Sequence, residues 1–159
     1  MMGVGKTTLG KIVSKKLKLN FIDTDKVIEK ANSMKINEIF NKKGEPYFRQ
    51  EEEREVLSSL KMNNSVIALG GGAFINENLR DNILKHAKSI WLDCDLKTIN
   101  ERVNQSKNRP LLNNQEKQSS INKIYKQRKD LYKLANFKIN CDNLSKEDIV
   151  KKIIDFYDK

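Results

Sequence analysis

Apolar residues recur at two spacings along the chain. Leu9, Ile12, Val13 and Leu17 follow the helical period, which predicts a helix over about 6–19. Asn20 ends it, and Phe21-Ile22 reads as a short strand that leads into Asp23-Thr24-Asp25. Helices are expected over 26–32 and 36–42, the second stopped by Gly44. Glu45-Pro46 opens a longer helix, since proline suits a first helical turn. That helix carries Phe48, Val56, Leu57 and Leu60 on its apolar side and Glu51, Glu52, Glu53 and Glu55 outside. The apolar run 65–69, closed by Gly70-Gly71-Gly72, reads as a buried parallel strand. A helix over 76–85, a strand over 89–92 and a helix from Asp95 to about 104 follow. The polar stretch 105–117 reads as a loop of lid or binding length. A helix over 119–134, a strand over 137–140 and a helix over 145–157 complete the pattern. Ser145 and Asp148 form a capping-box pair, with Asp in place of the usual Glu or Gln. Strands that alternate with helices argue for an α/β sandwich of three layers, a parallel sheet covered on both faces. At 159 residues the chain is expected to be a single domain over 1–159.

Composition narrows the classes of function. No stretch approaches the ~20 apolar residues of a membrane span, and no secretory leader is visible. No membrane partner and a cytoplasmic location are expected. The two cysteines, Cys94 and Cys141, match no metal or redox spacing, so buried free thiols are the expectation. His86 is the single histidine and sits in a lysine-rich stretch at an expected helix end, which gives nucleophilic triads little support. The net charge of +10 raises nucleic acid as a partner. The lysines are spread evenly, however, and no aromatic-rich strand offers a stacking platform. An anionic small molecule suits the charge better, and no nucleic-acid partner is expected.

The strongest chemical signal opens the chain. Gly3-Val4-Gly5-Lys6-Thr7-Thr8 precedes a helix and matches the back of the phosphate-binding pattern G-x-x-x-x-G-K-[ST]. Glycines let backbone N–H groups turn inward around phosphate oxygens, and the helix N-terminus adds positive potential. Lys6 would reach the β- and γ-phosphates, and the Thr7 hydroxyl would ligate Mg²⁺. The plainer alternative is a glycine turn that caps a helix.

Other clusters fit the same chemistry. Asp23 and Asp25 follow a strand and project at its C-terminal end, where open α/β sheets bind ligands. One carboxylate can order Mg²⁺ through water, and the other can accept a substrate hydroxyl's proton. The alternative is a turn capped by Thr24 or Asp25. No aspartate ends the strand before Gly70-Gly71-Gly72, which makes Asp23 the metal candidate. The three glycines suit a ligand close to the backbone. Arg49 and Arg128 lie on expected helices, where forked guanidiniums can match carboxylates, although each alone reads as a surface arginine. Arg109, in Arg109-Pro110-Leu111-Leu112, suggests a lid arginine for a transferring phosphoryl group. Arg102 can stack on a base.

In order along the chain, Gly-x-Gly-Lys-Thr-Thr, Phe-x-Asp-x-Asp, Phe48-Arg49-x-x-Glu52, Gly-Gly-Gly, Arg-Pro-Leu-Leu and Arg128-x-x-x-Tyr132 resemble the shikimate kinases. The resemblance spans nearly the whole chain and implies a parallel sheet of order 2-3-1-4-5. It implies transfer of the γ-phosphoryl group of ATP to the 3-hydroxyl of shikimate, with Mg²⁺ as cofactor. Lys6 and the loop amides from Gly3 to Thr8 would hold phosphates, and Thr7 with Asp23 the metal. Asp25 would bind shikimate hydroxyls and act as base. Arg49 and Arg128 would grip the carboxylate, and Gly70, Gly71 and Gly72 would close the pocket. Arg109 would descend with a lid over 104–118, Arg102 would lie beside adenine, and 24–60 would form the substrate-binding segment. A monomer is expected.

Two alternatives stay open: another small-molecule kinase of this fold, such as a gluconate kinase-like enzyme, or an inactive, truncated form. The first glycine of the phosphate pattern would fall one position before Met1, and the preceding strand is absent from the sequence. The resemblance puts that strand at the middle of the sheet. The expectation is therefore a late start codon or a truncated record, and a chain that as given folds poorly.

Overall fold

The computed structural model describes residues 1–105 and 114–158. Its contacts gather into two compact units, Thr7–Ala87 and Met1–Lys6 with Lys88–Lys159.

The unit Thr7–Ala87 takes in most of α1 (Lys6–Leu17), then β1 (Asn20–Asp23), α2 (Thr24–Asn32), α3 (Ile36–Leu60), β2 (Ser65–Ala68), a 3-10 turn (Ala73–Ile75) and α4 (Glu77–His86). β1 and β2 pair in parallel, with Asn20 opposite Ser65 and Asp23 opposite Ala68. Ile28, Ile39 and Phe48 form the core under α2 and α3, flanked by Met34, Ile36, Phe40 and Tyr47. The rings of Phe40 and Phe48 lie 4.7 Å apart. Burying an aromatic of this size contributes about 1.5–3 kcal/mol. Gly44 breaks α3 with φ 83° and ψ 165°, so two helical pieces meet there, as the Gly44 stop and the Pro46 start predict.

The unit Met1–Lys6 with Lys88–Lys159 holds the phosphate-loop segment, β3 (Ile90–Asp93), α5 (Leu96–Gln105), α6 (Asn114–Tyr132), β4 (Phe137–Asn140) and α7 (Lys146–Tyr157). β3 and β4 are parallel, with Ile90 opposite Phe137 and Asp93 opposite Asn140. Trp91 packs on Tyr132 at 6.2 Å and Phe137 stacks on Phe156 at 4.6 Å. Ser145 and Asp148 close α7 reciprocally, as expected.

The two hydrogen-bonded pairs, β1-β2 and β3-β4, are the 2-3 and 4-5 neighbours of the expected order. Four local expectations need correction. α2 is capped by Asp23, whose side chain accepts from the Lys26 amide, and not by Thr24 or Asp25. α6 begins at Asn114 rather than 119, because its polar first turns carry helix-forming residues without an apolar period. Glu52 is not outside: it is 2% exposed, and Arg49 neutralises it at 2.6 Å. The glycines after β2 make room for side chains of the chain itself, described next. Among the described residues, no helix is long and apolar enough to cross a membrane.

Candidate active site

The end of β1 and the first turn of α2 carry two carboxylates, Asp23 and Asp25. Asp23 ends the strand, and its two oxygens have separate work. Oδ1 accepts from the Lys26 amide at 3.2 Å, while Oδ2 accepts from the Thr7 hydroxyl at 2.6 Å. The plain capping role and the candidate metal role thus fall on one residue. Thr7 and Asp23 come from distant parts of the sequence, and the structure brings their oxygens together as the expected metal pair requires. Among the described residues no group of three or more His, Cys, Asp or Glu is arranged to hold a metal. A hydroxyl and one carboxylate suit Mg²⁺, which keeps several waters and binds substrate phosphates instead of a full protein cage.

Asp25 stands in the first turn of α2 and meets the glycine run. A Cβ on Gly70 would come 2.6 Å from Asp25 Oδ1 and 2.7 Å from Glu52 Oε1. A Cβ on Gly72 would collide with the Arg49 guanidinium. Glycine is therefore needed so that three charged side chains can approach the backbone, and a ligand is not required to explain it. Thr24 ties this corner down. It is fully buried, its hydroxyl donates to the Ala68 carbonyl at 3.3 Å, and it accepts from the Gly70 amide at 3.1 Å. The sequence offered Thr24 as a cap and Glu52 as an outward charge within a motif; both instead are buried in this corner. The Arg49-x-x-Glu52 spacing was the available signal for Glu52, since residues three apart share a helix face.

Arg49 is held from two sides. Nη1 donates to Glu52 at 2.6 Å, and Nε and Nη2 donate to Glu45 Oε1 at 3.1 and 2.9 Å. Desolvation works against its charge, but the Glu52 and Glu45 carboxylates outweigh it and raise its pKa. Glu45 is 61% exposed, so an incoming carboxylate can compete for the Nε and Nη2 edge.

In the other unit the phosphate-loop glycines take left-handed conformations, Gly3 at φ 75° and Gly5 at φ 91°. Gly3 also passes close to α5, where a Cβ would lie 3.0 Å from Val103 Cγ2. Val4 is buried and Thr8 is exposed. Lys6 Nζ donates to the Met1 carbonyl at 2.5 Å. Burial first, then the charges of Lys6 and Arg128, push the Met1 amino group down to about 4. Lys6 and Arg128 thus share one cationic corner. Arg102 Nη1 reaches the Cys94 sulfur at 3.9 Å. Gly71 is half-buried beside Gly70. Arg109 lies outside the described residues, as does most of the expected lid.

Comparison with known proteins decides the family. The family described as Shikimate kinase matches residues 2–158. The chain belongs to the shikimate kinase family. It is 38% identical over 153 residues to the shikimate kinase of Sulfurihydrogenibium sp. (strain YO3AOP1), covering 96% of this chain and 91% of that protein. It is 40% identical over 154 residues to the shikimate kinase of Bartonella henselae, covering 97% of this chain and 73% of the relative. Among solved structures, a shikimate kinase from Bacteroides thetaiotaomicron aligns with TM-score 0.92 at 28% identity, over 99% of this chain and 94% of its own. A shikimate kinase from Acinetobacter baumannii in complex with shikimate aligns with TM-score 0.90 at 29% identity, over 98% and 88%. Membership makes the chain an ATP-using phosphotransferase with the α/β fold that the alternation of strands and helices predicts.

Proposed function

We propose that the chain transfers the γ-phosphoryl group of ATP to the 3-hydroxyl of shikimate, releasing shikimate 3-phosphate and ADP. The observation that carries this reading is the corner where Asp25, Glu52 and Arg49 converge on Gly70 and Gly72. It offers a carboxylate and a guanidinium side by side, which suits a substrate with one carboxylate and several hydroxyls.

Each residue then has a task. Asp25 binds shikimate hydroxyls and accepts the proton of the attacking one, the role of a positioned general base. Arg49, kept extended by Glu52, takes the substrate carboxylate with Arg128 as second donor. Gly70, Gly71 and Gly72 form the wall of that pocket. Gly3, Val4, Gly5, Thr7 and Thr8 present backbone amides to the phosphates. Lys6 exchanges the Met1 carbonyl for phosphate oxygens. Arg102 lies beside adenine, and Arg109 descends with the lid over 104–118 to meet the charge that develops on the transferring group. Thr7 and Asp23 would hold Mg²⁺, which would supply charge neutralisation at the phosphates. Phosphoryl transfer asks mainly for positioning and electrostatic stabilisation, and the charged side chains named here supply both.

The reading treats 1–159 as one catalytic domain, with 24–60 as the acceptor segment, acting as a cytoplasmic monomer without nucleic acid. The test is a coupled assay of ADP release with ATP, Mg²⁺ and shikimate. Saturable turnover that stops when shikimate is left out is expected. Turnover with gluconate in its place, and none with shikimate, would overturn the assignment.

A further inference from the structure

Cys94 and Cys141 are the chain's two cysteines, and the reaction uses neither. Both are buried, at 1% and 2% exposure. They sit one step beyond the paired ends of β3 and β4, where Asp93 stands opposite Asn140. The Cys141 amide donates to the Asp93 carbonyl at 2.7 Å and carries the pairing one residue further. Neighbouring strands run about 4.8 Å apart. That lies within the Cα separation of about 4.4–6.8 Å that a disulfide spans. Each thiol directly follows one of the two paired residues, so the pair are neighbours across the strands. The Cys141 thiol donates to the Ile139 carbonyl at 3.5 Å. On the other side of Cys94 stands the Arg102 guanidinium, 3.9 Å from the sulfur.

This surrounding makes the pair unequal. The Cys141 hydrogen bond, and after it the Arg102 charge, hold the Cys94 thiol below its ordinary value in spite of burial. The same bond and burial push Cys141 up. Cys94 is the nucleophile of the pair, and Cys141 is a thiol poised against it.

We propose that Cys94 and Cys141 form a redox modification site, which a hydroperoxide converts into an intramolecular disulfide that weakens nucleotide binding. The Cys94 thiolate attacks one peroxide oxygen, the O–O bond breaks, and hydroxide or alkoxide leaves. The product is the Cys94 sulfenic acid. The Cys141 sulfur then attacks the Cys94 sulfur, the S–O bond breaks, and the departing hydroxide takes the Cys141 proton as water. Two thiols lose two electrons, and the peroxide gains them. At this burial the oxidant must be small, which favours a hydroperoxide over a tripeptide disulfide. The disulfide takes up the Cys94 sulfur that Arg102 reaches and so changes what that guanidinium meets. The effect on nucleotide binding rests on the proposed place of Arg102 beside adenine.

The test treats the reduced, full-length chain with a few equivalents of hydrogen peroxide and reads intact mass, free thiols and the KM for ATP and for shikimate. The expected result is a loss of about 2 Da, the two thiol hydrogens, restored by dithiothreitol. The KM for ATP rises several-fold while that for shikimate stays. Cys141→Ser stops at the sulfenic acid, a gain of about 16 Da that dimedone traps. Cys94→Ser keeps its remaining thiol, and Cys94→Ala repeats the experiment if serine perturbs folding. Two thiols that still alkylate after peroxide, or a disulfide between chains, would overturn the site. A disulfide with an unchanged KM for ATP would overturn its effect on the nucleotide. Mass and thiol content are read whether or not the protein phosphorylates shikimate, so a failed disulfide and a failed kinase assignment are told apart.

Discussion

The two units hold their candidate residues by different means. In Thr7–Ala87, side chains hold one another, Thr7 on Asp23 and Arg49 between Glu45 and Glu52, while Asp25 and Glu52 lie against Gly70. In Met1–Lys6 with Lys88–Lys159, the corresponding work falls to backbone and long cations: left-handed Gly3 and Gly5, and Lys6 on a carbonyl. In the proposed roles most acceptor residues lie in the first unit and most phosphate residues in the second, with Thr7, Thr8 and Asp23 on one side and Arg128 on the other as the exceptions. A polyhydroxylated acid must be told from its isomers, so the groups that meet it need fixed positions before it arrives. A phosphate chain is nearly uniform in shape and charge, and inward-turned amides with one lysine suffice.

The largest effect that should separate the units is Asp25→Asn. The shape stays and the proposed base is lost. We expect kcat to fall about 10²–10⁴-fold. The KM for ATP should barely move, as steady-state assays with each substrate varied will show. A matched rise in the KM for ATP would break the comparison.

Gly70→Ala comes next. The added methyl would meet Asp25 and Glu52 at 2.6 and 2.7 Å. Overpacking of this kind costs about 1–3 kcal/mol. Thermal unfolding should show a lowered Tm, and shikimate titration a weaker Kd. An unchanged Kd would mean that the carboxylates are not held in place by this contact.

Glu45→Gln sharpens the comparison in the other direction. Glu45 occupies the Arg49 edge that the proposed contact with the substrate carboxylate would use. An exposed partner of this kind is weakly held, so its removal should lower the KM for shikimate about two- to five-fold. A raised KM would show that Glu45 positions Arg49 and does not compete for it.

The smallest effect is one of pH. Burial alone would raise the Glu29 pKa, but the Lys26 hydrogen bond, the Ile36 amide and the Lys35 charge outweigh it and leave the value lowered. A lowered folded pKa means stability that is present above the ordinary value of 4.5 and is lost as pH falls through the folded one. Glu29→Gln should therefore lose about 0.5–1 kcal/mol in urea titrations at neutral pH. Its gap to the parent chain should close in acid.

The units also differ in how far the sequence disclosed them. The strand over 137–140 is found as expected, because Phe137 and Ile139 alternate with polar residues between clear turns. Helix ends moved by one or two residues, since periodicity does not register a cap such as Asp23. The start of α6 was hidden because a polar helix and a polar loop look alike in hydropathy. Among the candidate site residues, the short motifs exposed Lys6, Thr7, Asp23, Asp25 and Arg49. The motifs named Glu52 but not its burial, and they gave Thr24 only a capping role; both burials depend on partners elsewhere in the fold, Arg49 for the one, the Ala68 carbonyl and Gly70 amide for the other. A charge looks external until its partner is known.

The claim beneath all of this is that the acceptor side reads a carboxylate with Arg49. The direct measurement is kcat/KM for shikimate against its primary carboxamide, with ATP and Mg²⁺ saturating. Charge-assisted hydrogen bonds contribute about 1.5–3 kcal/mol, so the carboxamide should be poorer by about 10- to 100-fold, and Arg49→Lys should shrink that ratio. Equal kcat/KM for acid and amide would contradict the account.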